Sequence, residues 1–285
     1  MQIYVCIKHV PDSAANITIR DNNDQNNHGQ DNNEGDKYGI GENIAFLLNP
    51  FDEHAVTEAA ALKKEYKESE IIAVCFGKKD AEKTIRSAMA MGADRGILIL
   101  TDRGHDSITT ARALKAAIEQ DGNPDIIFTG KESIDAEGMQ TMFRLGALFD
   151  FPVVTNAVSV KAVTGHGGPD DTPGKVGPGR AIVEYDLGGG KTRTCDLGLP
   201  CVIAAGRGLN TPAYPTFPDV VKARKKPVHL LDFTDLTFDQ PLGSAFTVGL
   251  EPLVQKRSPK EIKGSPEEIA VTLVTILKNE AKVIS

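Results

Sequence analysis

Cysteine is scarce in this chain of 285 residues: Cys6, Cys75, Cys195 and Cys201, with no CxxC pair among them. That excludes a zinc ribbon and a disulfide framework, and it fits a reducing compartment. Positive charge is also short. Lys and Arg number 32 against 39 Asp and Glu, for a formal charge of -7. Phosphate-backbone recognition needs a basic face, so nucleic acid is not the expected partner. No apolar run approaches the roughly 18 residues that span a bilayer, so no direct membrane insertion is expected. The opening Met1-Gln2-Ile3-Tyr4-Val5 enters a strand-like run without a basic or apolar leader, and a cytoplasmic protein is the expectation. There is no Walker loop, zinc-protease motif or nucleophile elbow. The six His are scattered without ligand spacing, so neither a metal site nor a catalytic acid–base pair is expected. No internal repeat is present.

What remains is ordinary globular composition, long enough to bury a core without staples. Residues 3–7 form a short apolar, β-branched run, the signature of a buried strand. His9-Val10-Pro11-Asp12 reads as a loop. Residues 21–39 are Asn-rich and polar and cannot bury enough surface to order themselves, so they read as a flexible insert or hairpin tip. His28 within them reads as loop rather than ligand.

Asn49-Pro50-Phe51-Asp52-Glu53 has the form of a helix start. Asn49 caps, Pro50 takes the first turn, and the acids sit at the positive end. Ala55, Ala59, Leu62 and Tyr66 give this helix an apolar stripe as far as about Glu68. Strands follow at 70–77, 96–100 and 125–129, alternating with helices at 80–91 and 106–120 and a last one to about Phe149. Apolar strands alternating with helices predict a parallel sheet covered on both faces. Ligands of such sheets bind beyond the carboxyl ends of the strands, here the loops after residues 7, 76 and 129.

The second half differs. Strands at 153–163 and 180–187 flank a Gly/Pro-rich stretch, Gly188-Gly189-Gly190 reads as a hairpin turn, and 201–205 is another buried strand. This is a small antiparallel extension with a return to the sheet. From Leu209 the chain reads as irregular, then basic at 222–226. Ser265-Pro266-Glu267-Glu268 caps a final helix carrying Ile269, Leu273, Ile276 and Leu277. The expected fold is therefore α/β and Rossmann-like, with an antiparallel extension and an extended C-terminal arm. Residues 1–225 would form the nucleotide-binding domain and 226–285 the arm.

Residues 130–141 carry the most chemistry. The segment leaves a buried strand with Gly130, Lys131, Glu132 and Ser133. It continues through Ile134, Asp135, Ala136, Glu137, Gly138, Met139 and Gln140, and enters a helix at Thr141. The free N–H groups of a helix start favour an anion. A phosphate cradle and an ordinary strand-to-helix connection both fit this spacing.

At these residues the chain resembles the β subunit of electron transfer flavoproteins. The match spans nearly the whole chain. It runs through Val5-Cys6-Ile7-Lys8-His9-Val10-Pro11-Asp12, Asn49-Pro50-Phe51-Asp52-Glu53-His54-Ala55-Val56 and Ala90-Met91-Gly92-Ala93-Asp94-Arg95. It continues through Gly130-Lys131-Glu132-Ser133-Ile134-Asp135 with Gln140-Thr141, then Leu209-Asn210 to Pro218, and Lys222-Ala223-Arg224-Lys225-Lys226. The resemblance implies a heterodimer with a larger α subunit that holds most of an FAD, and AMP in the β subunit. Nucleotide contacts would come from Cys6 and Phe76 through their backbones, from Asn49, Pro50, Phe51 and Asp52, and from 130–141. Phe51 would also approach the flavin of the α subunit. Phe217 stands where the family has a Leu that inserts into an acyl-CoA dehydrogenase, and Lys222 and Lys225 would steer that partner. A membrane quinone oxidoreductase is the acceptor the family implies.

The departures concern the nucleotide. Ala136 replaces an Asp of AMP-binding members, and Met139 an Asn. Ala136-Glu137 resembles the bifurcating branch, in which a second FAD replaces AMP and NADH is the donor. A small residue leaves room for an isoalloxazine ring. The alternatives are thus a simple electron carrier, a bifurcating one, and a stand-alone AMP- or ATP-binding regulatory module.

Overall fold

The computed structural model describes residues 1–15, 19–21, 38–40, 44–163, 179–238, 245 and 259–284. Most of the Asn-rich insert, and the Gly/Pro-rich stretch at 164–178, lie outside the described residues. Residues Met1–Leu250 form one compact unit and Glu251–Ser285 a second.

The elements in chain order begin with β1 (Gln2–Ile7), β2 (His9–Pro11), β3 (Ile19–Asp21), β4 (Tyr38–Ile40) and β5 (Phe46–Leu48). Next come α1 (Pro50–Glu65), β6 (Glu70–Gly77), α2 (Glu82–Met91), β7 (Arg95–Leu100), α3 (Ser107–Asp121), β8 (Ile126–Gly130) and α4 (Thr141–Phe149). Then follow β9 (Val153–Val163), β10 (Arg180–Gly188), β11 (Lys191–Gly198), β12 (Cys201–Ala205), α5 (Phe217–Ala223), β13 (Val228–Asp232) and α6 (Pro266–Asn279).

Nine strands make one sheet in the order β11-β10-β9-β12-β8-β1-β6-β7-β13. From β9 to β13 every neighbour is parallel. The β9-β10-β11 meander supplies the antiparallel extension, with Gly188, Gly189 and Gly190 all at positive φ in the hairpin turn.

Period-2 alternation divides β1 between two cores. Ile3, Val5 and Ile7 pack with Ala55, Val56, Ala59 and Leu62 of α1 and with Ile85 and Met89 of α2. Tyr4 and Cys6 pack on the other face with Ala113, Leu114 and Ala117 of α3 and with Met142 and Leu145 of α4. The sheet is thus covered on both faces, as the continuous apolar strands predict. Among the described residues no helix is long and apolar enough to cross a membrane.

Several local expectations change. The helix after Asn49 ends at Glu65, not near Glu68, and α2 starts at Glu82 behind a 3-10 turn at Lys79–Ala81. His9–Pro11, read as loop, pairs antiparallel with β5, and His9 stacks on Phe46 at 4.7 Å. The stretch after Leu209 is not irregular throughout. Asp219 accepts hydrogen bonds from both Thr216 N and Thr216 Oγ1, which starts α5, and β13 then joins the sheet edge beside β7. Strand β13 has little apolar alternation, and its pairing to β7 is what makes it a strand.

The amino ends of the strands are locked by charge. Arg95 makes paired bonds to Asp121 (2.7 Å) and Glu70 (2.9 and 3.1 Å), and Tyr4 Oη donates to Asp121 at 2.7 Å. On β7, Gly96 lets α2 close on the sheet. A Cβ there would clash with Ile85 Cγ2 and approach Met89 Cε to 3.0 Å. Gly96→Ala should therefore overpack this contact and cost about 1–3 kcal/mol. A lower midpoint in urea unfolding checks it; an unchanged midpoint would mean that α2 shifts without penalty.

Candidate functional site

The sheet changes direction between β8 and β1. From β1 the chain builds outward through β6 and β7, then crosses back to place β8 on the other side of β1. The crevice beyond the carboxyl ends at such a reversal is the ligand position of open α/β sheets. Lys8, Gly130 and the first turn of α1 meet there.

Asp52 holds this meeting together. It is 4% exposed, and its two oxygens accept from different strand ends: Oδ2 from Lys8 N at 2.7 Å, Oδ1 from Gly130 N at 2.9 Å. Gly130 is required by this closeness, since a Cβ would strike Asp52 Oδ1 and lie 2.6 Å from Phe51 Cβ. Burial pushes the Asp52 carboxyl up to about 7, against the pull of the two N–H donors, Asn49 and the Lys8 ammonium.

Asn49 is the second tether. Its carbonyl accepts from Asp52 N and Glu53 N at 2.8 and 3.1 Å, so the backbone begins the helix as expected. Its side chain does not cap it. Instead Nδ2 donates to Glu132 O at 2.9 Å, and Oδ1 accepts from Ile134 N at 3.2 Å. The 1% exposed amide thus supplies two hydrogen bonds to the backbone of the loop after β8. Pro50 occupies the first turn, where its missing N–H costs nothing.

Lys8 is the third tether, and the sequence reading gave it no role. Its Nζ lies 2.7 Å from both oxygens of Asp135 and 3.2 Å from Ser133 Oγ. The signal was available: a cation one residue past an apolar strand in an α/β sheet. Two further cations lie on Phe51, with Lys131 Nζ 5.3 Å and Arg207 Cζ 5.2 Å from the ring centroid. Lys131 also pairs with Glu132 at 3.3 Å.

Residues Ala136, Glu137, Gly138, Met139 and Gln140 are exposed, with Glu137 and Met139 at positive φ. Gln140 Oε1 accepts from Ser107 Oγ (3.0 Å) and from Arg144 (2.8 Å), tying the loop end to the start of α3. Thr141 opens α4, whose first N–H groups have no intrahelical acceptor. Cys6 is buried in β1, its side chain in the core beneath α3 and α4, and burial raises its thiol pKa; only its backbone sits near the crevice. Phe76 lies near the end of β6, where its ring stacks on His105 at 4.9 Å and meets Phe233 at 5.0 Å. The expected residues of β1, α1 and 130–135 are therefore brought together, and Phe76 sits one strand further along the same edge.

Phe217, Lys222 and Lys225 belong to a different place, on and just after α5. Phe217 is 81% exposed and is the first residue of that helix rather than part of a loop; Lys222 and Lys225 are also exposed. Segment 209–213 is fixed on α1: Asn210 Nδ2 donates to His54 O and Glu58, and Ala213 N to Thr57 Oγ1.

Asp52 yields a pH prediction. Its folded pKa, about 7 against 3.8 ordinarily, means that the native chain keeps a proton the unfolded chain loses. Stability is therefore lost as pH rises from about 4 to about 7. Asp52→Asn removes that contribution. Unfolding free energies of wild type and variant should diverge in slope across this window, and parallel curves would show that the carboxyl titrates at its ordinary value.

Comparison with known proteins shows the family. The profile of the electron transfer flavoprotein domain matches residues 40–236. The mitochondrial electron transfer flavoprotein subunit beta of Arabidopsis thaliana is 32% identical over 285 residues, all of both chains. The subunit beta of Bacillus subtilis (strain 168) is 33% identical over 246 residues, 84% of this chain and 88% of its own. That of Bradyrhizobium diazoefficiens is 30% identical over 285 residues, again all of both chains. The chain belongs to the electron transfer flavoprotein family, as a β-subunit member.

Proposed function

We propose that this protein is the β subunit of a heterodimeric electron transfer flavoprotein, carrying electrons from acyl-CoA dehydrogenase-type flavoenzymes to a quinone reductase or similar acceptor. The observation that carries the reading is the joined end of β1 and β8. There Asp52, Asn49 and Lys8 tie residues 130–135 to β1 and α1 before the start of α4.

That site suits a nucleotide. Gly130 lets the end of β8 close on Asp52 and Phe51, and the first-turn N–H groups of α4 suit a phosphate. Lys8 offsets Asp135, while Lys131 and Arg207 add positive charge beside Phe51. FAD, held mainly by an α subunit, would supply the electron-carrying chemistry. This chain's residues would bind and orient the nucleotide. The apolar residues Val271, Leu273 and Val274 of α6 are exposed, which suits an arm that packs on an α subunit. Phe217, with Tyr214 and Val221, offers an exposed apolar patch for the donor enzyme, and Lys222 and Lys225 flank it.

The second reading rests on Ala136-Glu137, both exposed on the loop. There a second FAD occupies the β site and NADH reduces the complex.

Two experiments test this. Denaturing the purified αβ dimer should release one FAD and one AMP per dimer; two FAD without AMP would replace the first reading by the bifurcating one. In the same dimer, Phe217→Ala should slow transfer from a reduced acyl-CoA dehydrogenase by about tenfold or more and leave FAD content intact. Wild-type kinetics would remove the docking role.

A further inference from the structure

Helices α2 and α5 cap each other. Arg86, on α2, donates through Nη1 to the carbonyls of Ala223 (2.9 Å), Arg224 (3.3 Å) and Lys226 (2.7 Å). Its Nε and Nη2 are held by Glu82, one turn back, at 3.1 and 2.8 Å. Ala223 ends α5 and Arg224 and Lys226 follow in the turn after it, where Ala223 O also accepts from Lys226 N at 3.3 Å. A cation there also meets the negative end of the helix dipole. In return, Lys226 Nζ donates to Met89 O (3.0 Å) and Ala93 O (2.6 Å), where α2 ends.

The chain is pinned before α5 by Asn210 and after it by β13, but little else ties the helix itself to the fold. It has seven residues, too few to stand alone in water, and only Ala223 is buried. Its apolar side chains point outward: Phe217 is 81% exposed, and Val220 and Val221 are exposed as well. Arg86 is therefore the main polar anchor for a helix whose other side chains are left for something else. Lys226 is committed to α2 and is not one of the free cations beside Phe217.

We infer that Arg86, with Lys226 as its reciprocal, is a positioning residue that sets the direction of α5 and so presents Phe217, Val220 and Val221 to the electron-donating enzyme. The inference rests on the docking role proposed for Phe217. It adds two residues, neither of which touches the partner, that decide whether the docking patch is formed.

The test uses the αβ dimer. In Arg86→Met, amide hydrogen exchange over 219–226 should accelerate about tenfold or more, while that of 201–205 stays as in wild type. KM for the dimer with a reduced acyl-CoA dehydrogenase should rise as in Phe217→Ala, with kcat within about twofold and FAD content unchanged. Arg86→Lys, which keeps a donor without the fork, should recover part of both effects. Lys226→Met removes the reciprocal cap and gives the same readout should Arg86→Met fold poorly. Unchanged exchange in both variants overturns the anchoring. Faster exchange with an unaltered KM, where Phe217→Ala does raise KM, overturns the presentation of the patch. If Phe217→Ala leaves KM unaltered, the docking reading itself has failed, and exchange alone then decides whether Arg86 anchors α5.

Discussion

One buried carboxylate joins the two strands on either side of the chain reversal. Asp52 sits in the first turn of α1 and accepts from the backbone just past β1 with one oxygen and from the end of β8 with the other. Those strands are neighbours in the sheet but far apart in sequence, and their ladder stops at Cys6 and Thr129. Beyond that point the two chains must diverge, and their N–H groups need an acceptor. Asp52 supplies it. The cost of burying the carboxyl appears as its raised pKa. Asn49 and Lys8 extend the same tie to residues 132–135, so the crevice is bounded by a fixed loop.

The two ends of the sheet use charge differently. At the amino ends, Arg95, Asp121, Glu70 and Tyr4 form a closed set in which every charge has a geometric partner. Such a network holds strands and helices together and leaves little to offer a ligand. At the carboxyl ends the pairs are separate and one cation stands apart from them. Lys8 is matched by Asp135 and Lys131 by Glu132, but Arg207 has no carboxylate among the described residues. Its guanidinium lies over Phe51, beside the chain reversal.

The exposed patch around Phe217 and the crevice at the chain reversal rest on different supports. The crevice hangs on α1, whose inner face is fully buried against the sheet. The patch hangs on α5, joined to α2 through polar caps and one alanine. A well-packed helix carries the crevice, and polar caps carry the helix that bears Phe217. Segment 209–213, pinned to α1 by Asn210, is the bridge between them.

Much of the parallel sheet was legible in the sequence. Strands at 70–77, 153–163 and 201–205 were placed to the residue, the first and last because continuous apolar, β-branched runs bounded by Gly or Pro have one physical use, burial on both faces. The Ser265 capping box was equally plain, since both of its bonds are local. Local chemistry also marked Asn49 as a helix start. Only the tertiary structure decided what its side chain does, because Glu132 and Ile134 are more than eighty residues away in the chain. Strand β13 was invisible because its edge position leaves it half-exposed and without alternation; pairing with β7 makes it a strand. Lys8 and Arg86 look like ordinary surface cations in sequence. Their roles come from acceptors supplied by chain segments 125 or more residues away, which a one-dimensional pattern does not carry.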